Sequence, residues 1–467
     1  MPQISPLRLL LATSAGLLVG CERLPPLSRE EAPASETATF SVQATSRSCS
    51  PAQLFDGAIA TALTAAQRSQ TATTAADWNA AVVAWLQAIA AMQAMPLDSP
   101  QRAFAVKKAT EYERNLAVAQ QKAAAAPNPL PFNSFDSQFL DEQLRLFLSY
   151  VAAVGPPDVL IVGSSRALQG VDPRQLQFGR SQQGQPGLKV FNLGINGATA
   201  QTVELLLSEI LTSAQVPSLI IWADGARAFN NGRPDRTHQA IVNSPGYAAL
   251  QQGQRPTLPV PPATTLNCPP TTSAATVRQQ AAEFGHWFAA WSGWSQPALA
   301  ADVRAIDANG FLAVGDRFDP DTYYNRFPRV AGLYDGDYQN LSFSGAQLAA
   351  LARLGQAVRS RQIALVFVNL PLSDDYLDAT RAEAQVEFRQ FMTQQAQQQG
   401  FLFIDLGVQW RDRNEFFADP SHINRFGASQ IATQLAIDSR IPWGLAGQTA
   451  AAAPRPAPEA ATSPSAV

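Results

Sequence analysis

Asp419-Pro420-Ser421-His422 puts a carboxylate three residues before an imidazole, near the end of the last apolar-patterned stretch. That spacing lets one loop carry a general base and the acid that fixes its tautomer. Asn424, Gly427 and an alanine-rich helix follow directly. The hydroxyl that such a base would activate stands far upstream. There the apolar run Val159 to Val162 ends abruptly in Gly163-Ser164-Ser165-Arg166, a strand running into a small, sharp turn. A serine at such a turn and a distant Asp/His loop point to serine-dependent acyl transfer.

These groups need a frame that brings them together. Val159–Val162, Val190–Leu193, Leu219–Trp222, Ile363–Asn369 and Phe401–Asp405 are near-continuous apolar runs, as expected of parallel strands buried on both faces. Helical patterning fills the gaps at Gln201–Ser213, Gly345–Arg361, Arg381–Gln399 and Ala428–Asp438. This alternation predicts an α/β fold, a three-layer α/β/α sandwich over 155–445 on a five-stranded parallel, flavodoxin-like sheet. In such sheets, ligands collect at the carboxyl ends of strands. Three of those ends carry groups capable of chemistry: Gly163-Ser164-Ser165, then Asn192 through Gly194, Asn196, Gly197 and Thr199, then Trp222, Asp224 and Gly225.

This set, in this order, resembles the SGNH (GDSL-like) hydrolase superfamily over roughly residues 155–440. More narrowly, Gly-Ser-Ser in place of Gly-Asp-Ser looks like the envelope branch of alginate-acetylation and teichoic-acid D-alanylation proteins. The resemblance implies Ser165 as nucleophile, with its own N–H as one oxyanion donor and Gly197 N–H as another. It implies His422 as the base and Asp419 as the group that orients it, with Gly194, Asn196 and Asp224 lining the oxyanion and substrate side. The third block departs from the family's Gly-X-Asn-Asp, because Asp224 stands where an asparagine would donate. An ionised carboxylate repels an oxyanion, so Asp224 is protonated, or Asn196, Asn192 or Arg227 takes that place, or the hole is weaker.

At 467 residues with 46% hydrophobic content, the chain can bury a sizeable core. A formal charge of −3 and scattered Arg and Lys offer no stripe for nucleic acid. Only three histidines are present and no Cys/His spacing suits zinc, so neither a metal nor another cofactor is expected.

Arg8 precedes an apolar run from Leu9 to Val19, too short for an ordinary membrane span, that ends in Gly20-Cys21. The run resembles the lipobox of bacterial lipoproteins. It implies a signal peptide over 1–20, lipidation at Cys21, and a membrane-anchored protein on the extracytoplasmic side of the envelope. Residues 21–50 read as a flexible tether and 446–467 as a disordered tail. Cys49 and Cys268 either pair or stay free, since their sequence separation decides neither.

Trp78, Val82, Trp85, Ile89 and Met92 form one helical stripe, and Ala105, Ala109, Tyr112, Leu116 and Ala119 another, about a Pro96–Pro100 break. This predicts a helical hairpin over 51–126 that packs on the main domain, on an earlier helix around Leu54–Ala66, or on a protein partner. A linker and lead-in helix over 127–154 follow, with an insertion at about 230–340 inside the main domain. His238 and His286 read as structural, and Arg233, Asp235 and Arg236 as a solvated loop. Trp287, Trp291 and Trp294 read as core packing or as a sugar-stacking platform.

Two functions fit these features. One is a serine esterase or O-acyltransferase acting on acylated envelope polysaccharide. The other is a catalytically quiet binding and assembly module for such a polysaccharide.

Overall fold

The computed structural model describes residues 50–259 and 306–447. The leader and tether with Cys21 and Cys49, the segment holding Cys268, His286 and the three tryptophans, and the tail lie outside the described residues.

The sheet consists of β1 (Val159–Gly163), β2 (Val190–Gly194), β3 (Leu219–Asp224), β4 (Ala364–Asn369) and β5 (Leu402–Asp405). All pairings are parallel and the order is β2-β1-β3-β4-β5. Successive side chains alternate between faces, which sorts the core into two halves. Leu160, Val162, Ile220, Trp222, Leu365 and Phe367 face one way, and Val159, Ile161, Leu219, Ile221, Val366 and Val368 the other. Helices cover both faces, completing the α/β/α sandwich.

Helix α1 (Pro51–Thr71), α2 (Ala75–Gln93) and α3 (Arg102–Ala125) precede the sheet, so the expected hairpin is two members of a three-helix array. Thr74 and Asp77 cap α2 reciprocally, each side chain accepting from the other's backbone N–H. Every residue from Ala81 to Leu86 is buried, because α1, α3 and the lead-in helix α4 (Gln138–Val154) surround α2. One apolar stripe would satisfy a hairpin, and this helix is covered on several sides. Trp85 Nε1–H donates to Ser69 Oγ on α1 at 3.0 Å, and its ring lies 5.5 Å from that of Tyr112 on α3.

The sheet continues into α5 (Ser165–Gly170) and α6 (Pro173–Gln182) after β1, and into α7 (Ala200–Leu205) after β2. Helix α7 passes into a wider π turn at Leu206–Ile210 where the sequence pattern predicts regular helix to Ser213. Helices α8 (Arg236–Val242), α9 (Pro245–Gln251) and α10 (Pro320–Tyr323) belong to the insertion. The last three are α11 (Gly345–Ser360), α12 (Ala379–Gln399) and α13 (Arg425–Ile437). The insertion is not merely an appendage. Asn309 O accepts from Asn192 N–H at 2.8 Å and Asn309 Nδ2 donates to Val190 O at 3.1 Å, covering the open edge of β2.

Of the residues expected in a solvated loop, Arg236 is exposed, whereas Asp235 and Arg233 are bound. Asp235 accepts from Thr199 Oγ1, from Gln347 Nε2 at 3.0 Å and from His238 N–H at 3.1 Å. Arg233 pairs with Asp337 at 3.1 Å.

Glu113 on α3 marks where the helical array meets the insertion. It accepts from Ala308 N–H at 3.2 Å and lies 3.5 Å from Arg174, which also pairs with Asp307 at 3.0 Å. Burial first, and then the charge of Asp307, push the Glu113 carboxyl up to about 7, against the pull of Arg174 and the Ala308 N–H. Between 4.5, its ordinary value, and about 7 the folded chain holds a proton here that the unfolded chain has released. Stability contributed by this site therefore falls as pH rises through that window. Glu113→Gln, which is neutral throughout, should flatten the fall and make the variant more stable than the parent at about pH 8 but not at about pH 5. Urea titrations at the two pH values check this, and parallel behaviour of the two chains refutes it.

Candidate active site

β1 and β3 are neighbours in the sheet, and their carboxyl ends create the first half of the site. Gly163 has φ +140°, and a Cβ there would stand 2.2 Å from Ala223 O on β3, so no other residue fits this close passage. The two serines that follow divide the work. Ser164 is the N-cap of α5, its Oγ accepting from Arg166 N–H at 3.3 Å. Its own N–H donates to Asp224 Oδ2 and its Oγ–H to Asp224 Oδ1, both at 2.9 Å. Ser165 is left to project its hydroxyl away from this clamp, half-buried, at the first position of α5.

The other half comes from a short hairpin, β6 (Phe417–Asp419) and β7 (His422–Ile423). His422 Nε2 lies 2.9 Å from Ser165 Oγ. On its far side Nδ1 lies 2.8 Å from Asp419 Oδ2 and 3.0 Å from Oδ1. An ionised carboxylate only accepts, so Nδ1 carries the ring proton and Nε2 is free to take one from Ser165. Asp419 Oδ1 also accepts the N–H groups of Ser421 at 2.8 Å and His422 at 3.0 Å, binding ring and backbone together. Burial works to raise the Asp419 pKa. The hydrogen bond and charge of His422, the Ser421 N–H and the charge of Arg227 outweigh it and hold the carboxyl below its ordinary value. Asn424, fully buried, locks the hairpin by donating to the carbonyls of Asp316, Glu415 and Phe417 and accepting from Phe426 and Gly427 N–H.

The structure thus brings Ser165, His422 and Asp419 into one chain of contacts. The oxyanion and substrate side needs correction. Asp224 faces away from that role: both oxygens are occupied by Ser164, and Oδ1 also accepts Gly225 N–H at 3.0 Å. Three donors fill its two oxygens, and burial outweighs their pull and that of Arg166, so its pKa lies above the ordinary carboxylate value. Gly194 N–H is also taken, by Asn192 Oδ1 at 2.9 Å, so it is no oxyanion donor. Asn192 itself is spent on Ala167 O and Val171 O.

Gly197 differs. It sits at φ +77° in the turn closed by Ala198 N–H to Ile195 O at 2.9 Å, just past β2. It is exposed, and its N–H has no partner among the described residues. Asn196 is exposed on the same turn. The Ser165 N–H, at the start of a helix, is also without a described partner.

Three further contributors support the site: Arg166 and Tyr323, which were not apparent, and Arg227, which was considered only as a substitute oxyanion donor. Arg166 reaches under Gly225 to donate to Leu370 O at 2.6 Å and Pro371 O at 2.9 Å. Arg227, mostly buried beyond β3, influences Asp419 electrostatically. Tyr323 on α10 brings the insertion to the site, its pKa raised by burial and then by the charge of Asp419. Nothing in the spacing of Arg166 or Tyr323 marks them, because their roles depend on how the strands and the insertion come together in space. Among the described residues there is no cluster of three metal-ligating side chains.

No protein family and no curated protein matches this chain.

Removing the Asp224 carboxylate strands three buried donors without touching the Ser165 hydroxyl. Asp224→Ala should cost about 3 kcal/mol of stability or more, against about 1 kcal/mol or less for Ser165→Ala. Urea denaturation of both variants measures the difference. Equal stabilities would mean that the clamp does not hold the turn.

Proposed function

We propose that this chain is a serine esterase or O-acyltransferase of the SGNH type, acting on acyl esters of envelope polysaccharide. The observation that carries the reading is the unbroken contact from Ser165 Oγ through His422 to Asp419. Ser165 Oγ attacks the acyl carbonyl while its proton passes to His422 Nε2. The ester C–O bond then breaks, the leaving alcohol takes that proton, and the acyl group stays on Ser165. Water or a second sugar hydroxyl, deprotonated by the same imidazole, releases it. The free N–H groups of Ser165 and Gly197 are the donors available to the oxyanion, with Asn196 on the same turn. Backbone donors of this kind are worth roughly 3–4 kcal/mol each. The Leu9–Cys21 segment supports a lipid anchor at the membrane. Among the described residues, no helix is long and apolar enough to cross one.

A fluorophosphonate probe should label the native chain and fail on Ser165→Ala and His422→Ala. Asp419→Asn should retain the serine but lose about 10³–10⁴-fold in rate, since the amide stabilises the wrong imidazole tautomer. If labelling is absent from a chain with native circular dichroism, or persists in Ser165→Ala, the enzymatic reading fails and the binding and assembly role takes its place. Metabolic lipid labelling that survives Cys21→Ala would refute the anchor.

A further inference from the structure

Beyond Tyr323 the insertion turns apolar side chains outward. Twelve large hydrophobic side chains are left exposed among the described residues, and four of them, Phe327, Val330, Leu333 and Tyr334, fall within eight consecutive positions. Exposed apolar residues scattered singly need no explanation, but a group of them marks a surface that something covers. The segment carrying this group is tied down next to the reacting residues. Phe318 N–H donates to Phe417 O at 2.8 Å, joining it to the hairpin that holds His422. The Tyr324 hydroxyl donates to Asp375, Arg329 pairs with the same carboxylate at 2.8 Å, and Arg381 donates to Val330 O at 2.8 Å. Asp375 lies two residues past Ser373, whose hydroxyl donates into the Asp419–His422 loop. From this base the rings form a ladder. Phe318, buried, meets Tyr323 edge-on at 5.4 Å, and Tyr323 leans against Phe327 at 4.8 Å. The ladder ends in solvent, where Phe327 is 52% exposed. Tyr323 is half-buried and its hydroxyl has no partner among the described residues. Burial, and then the charge of Asp419, raise its pKa, so the phenol stays protonated and able to donate.

We propose that Tyr323 and Phe327 form a glycan subsite, stacking a sugar unit adjacent to the one whose ester reaches Ser165. A sugar ring has a C–H face and hydroxyls along its edge, so it suits an aromatic surface with polar groups at the border. Phe327 supplies the face and the Tyr323 hydroxyl the edge donor, with Asn325 and Arg326 exposed beside them. A fatty acyl chain gains most from being enclosed, whereas Phe327 stands open to solvent. A glycan that presents one unit to Ser165 must lay its neighbours across the surrounding surface, and the ladder starts at the catalytic hairpin. The choice of occupant rests on the proposed polysaccharide ester substrate, but stacking on these rings requires no acyl transfer.

The test is affinity electrophoresis of the full chain through gels containing acetylated xylan, acetylated glucomannan or pectin, with circular dichroism as the check on folding. At least one polymer should retard the parent and Ser165→Ala alike. Phe327→Ala should weaken that affinity about tenfold, Phe327→Trp should preserve it, and Tyr323→Phe should weaken it about threefold. If Phe327→Ala does not fold, Tyr323→Phe decides. Retardation that depends on Phe327 in a chain whose Ser165 takes no fluorophosphonate would keep the subsite and remove the enzyme. A parent retarded by none of the three polymers, or equal affinity in the parent, Phe327→Ala and Tyr323→Phe, would overturn the assignment. So would binding of the Cys21→Ala chain to phosphatidylglycerol vesicles that Phe327→Ala abolishes, which would give the strip to a lipid surface.

Discussion

A buried carboxylate at the end of β3 holds the turn at the end of β1, and the reacting geometry depends on that grip. Asp224 reaches Ser164 because β1 and β3 are adjacent, which is where strand order reverses in this sheet. The passage is tight enough that Gly163 has no room for a side chain, and Gly225 leaves space for the Arg166 guanidinium. With Ser164 fixed through both its N–H and its hydroxyl, α5 can start in only one direction. Ser165 then points at the imidazole without needing any contact of its own to aim it.

The nucleophile and the base are carried by segments far apart in sequence, and a single loop after β4 braces both. Arg166, next to the nucleophile, donates to the carbonyls of Leu370 and Pro371. Two residues further on, Ser373 donates to Pro420 O through its N–H at 3.3 Å and its hydroxyl at 2.8 Å, inside the Asp419–His422 loop. Movement of either half therefore strains the same strut. Supporting contacts of this kind keep reacting groups within the fraction of an ångström that proton transfer requires.

The five strands could be read from sequence because each is an uninterrupted apolar run with a helix on either side, and their observed limits shift by only a residue or two. Ser165, Asp419 and His422 could be found because small, polar and titratable residues at strand ends stand out against apolar runs. The role of Asp224 could not. Its meaning comes from lying beside Ser164 across two strands, and strand order is a property of the sheet. The earlier helix around Leu54–Ala66 could also be read, as α1, although its smooth alanine face of Ala58, Ala62, Ala65 and Ala66 left open whether the hairpin packs on it.

Burial of charge takes two forms in this molecule, and the contrast carries a physical lesson. Asp224 and Asp419 are desolvated but ringed by donors, so their hydrogen bonds become local rigidity at the turn and the hairpin that need it. Glu113 is desolvated as well, but a second carboxylate, Asp307, stands beside it, and its carboxyl is pushed up to about 7 against the pull of Arg174 and the Ala308 N–H. Burial among donors thus gives a fixed brace, whereas burial beside a like charge gives a group that holds a proton where the helical array meets the insertion.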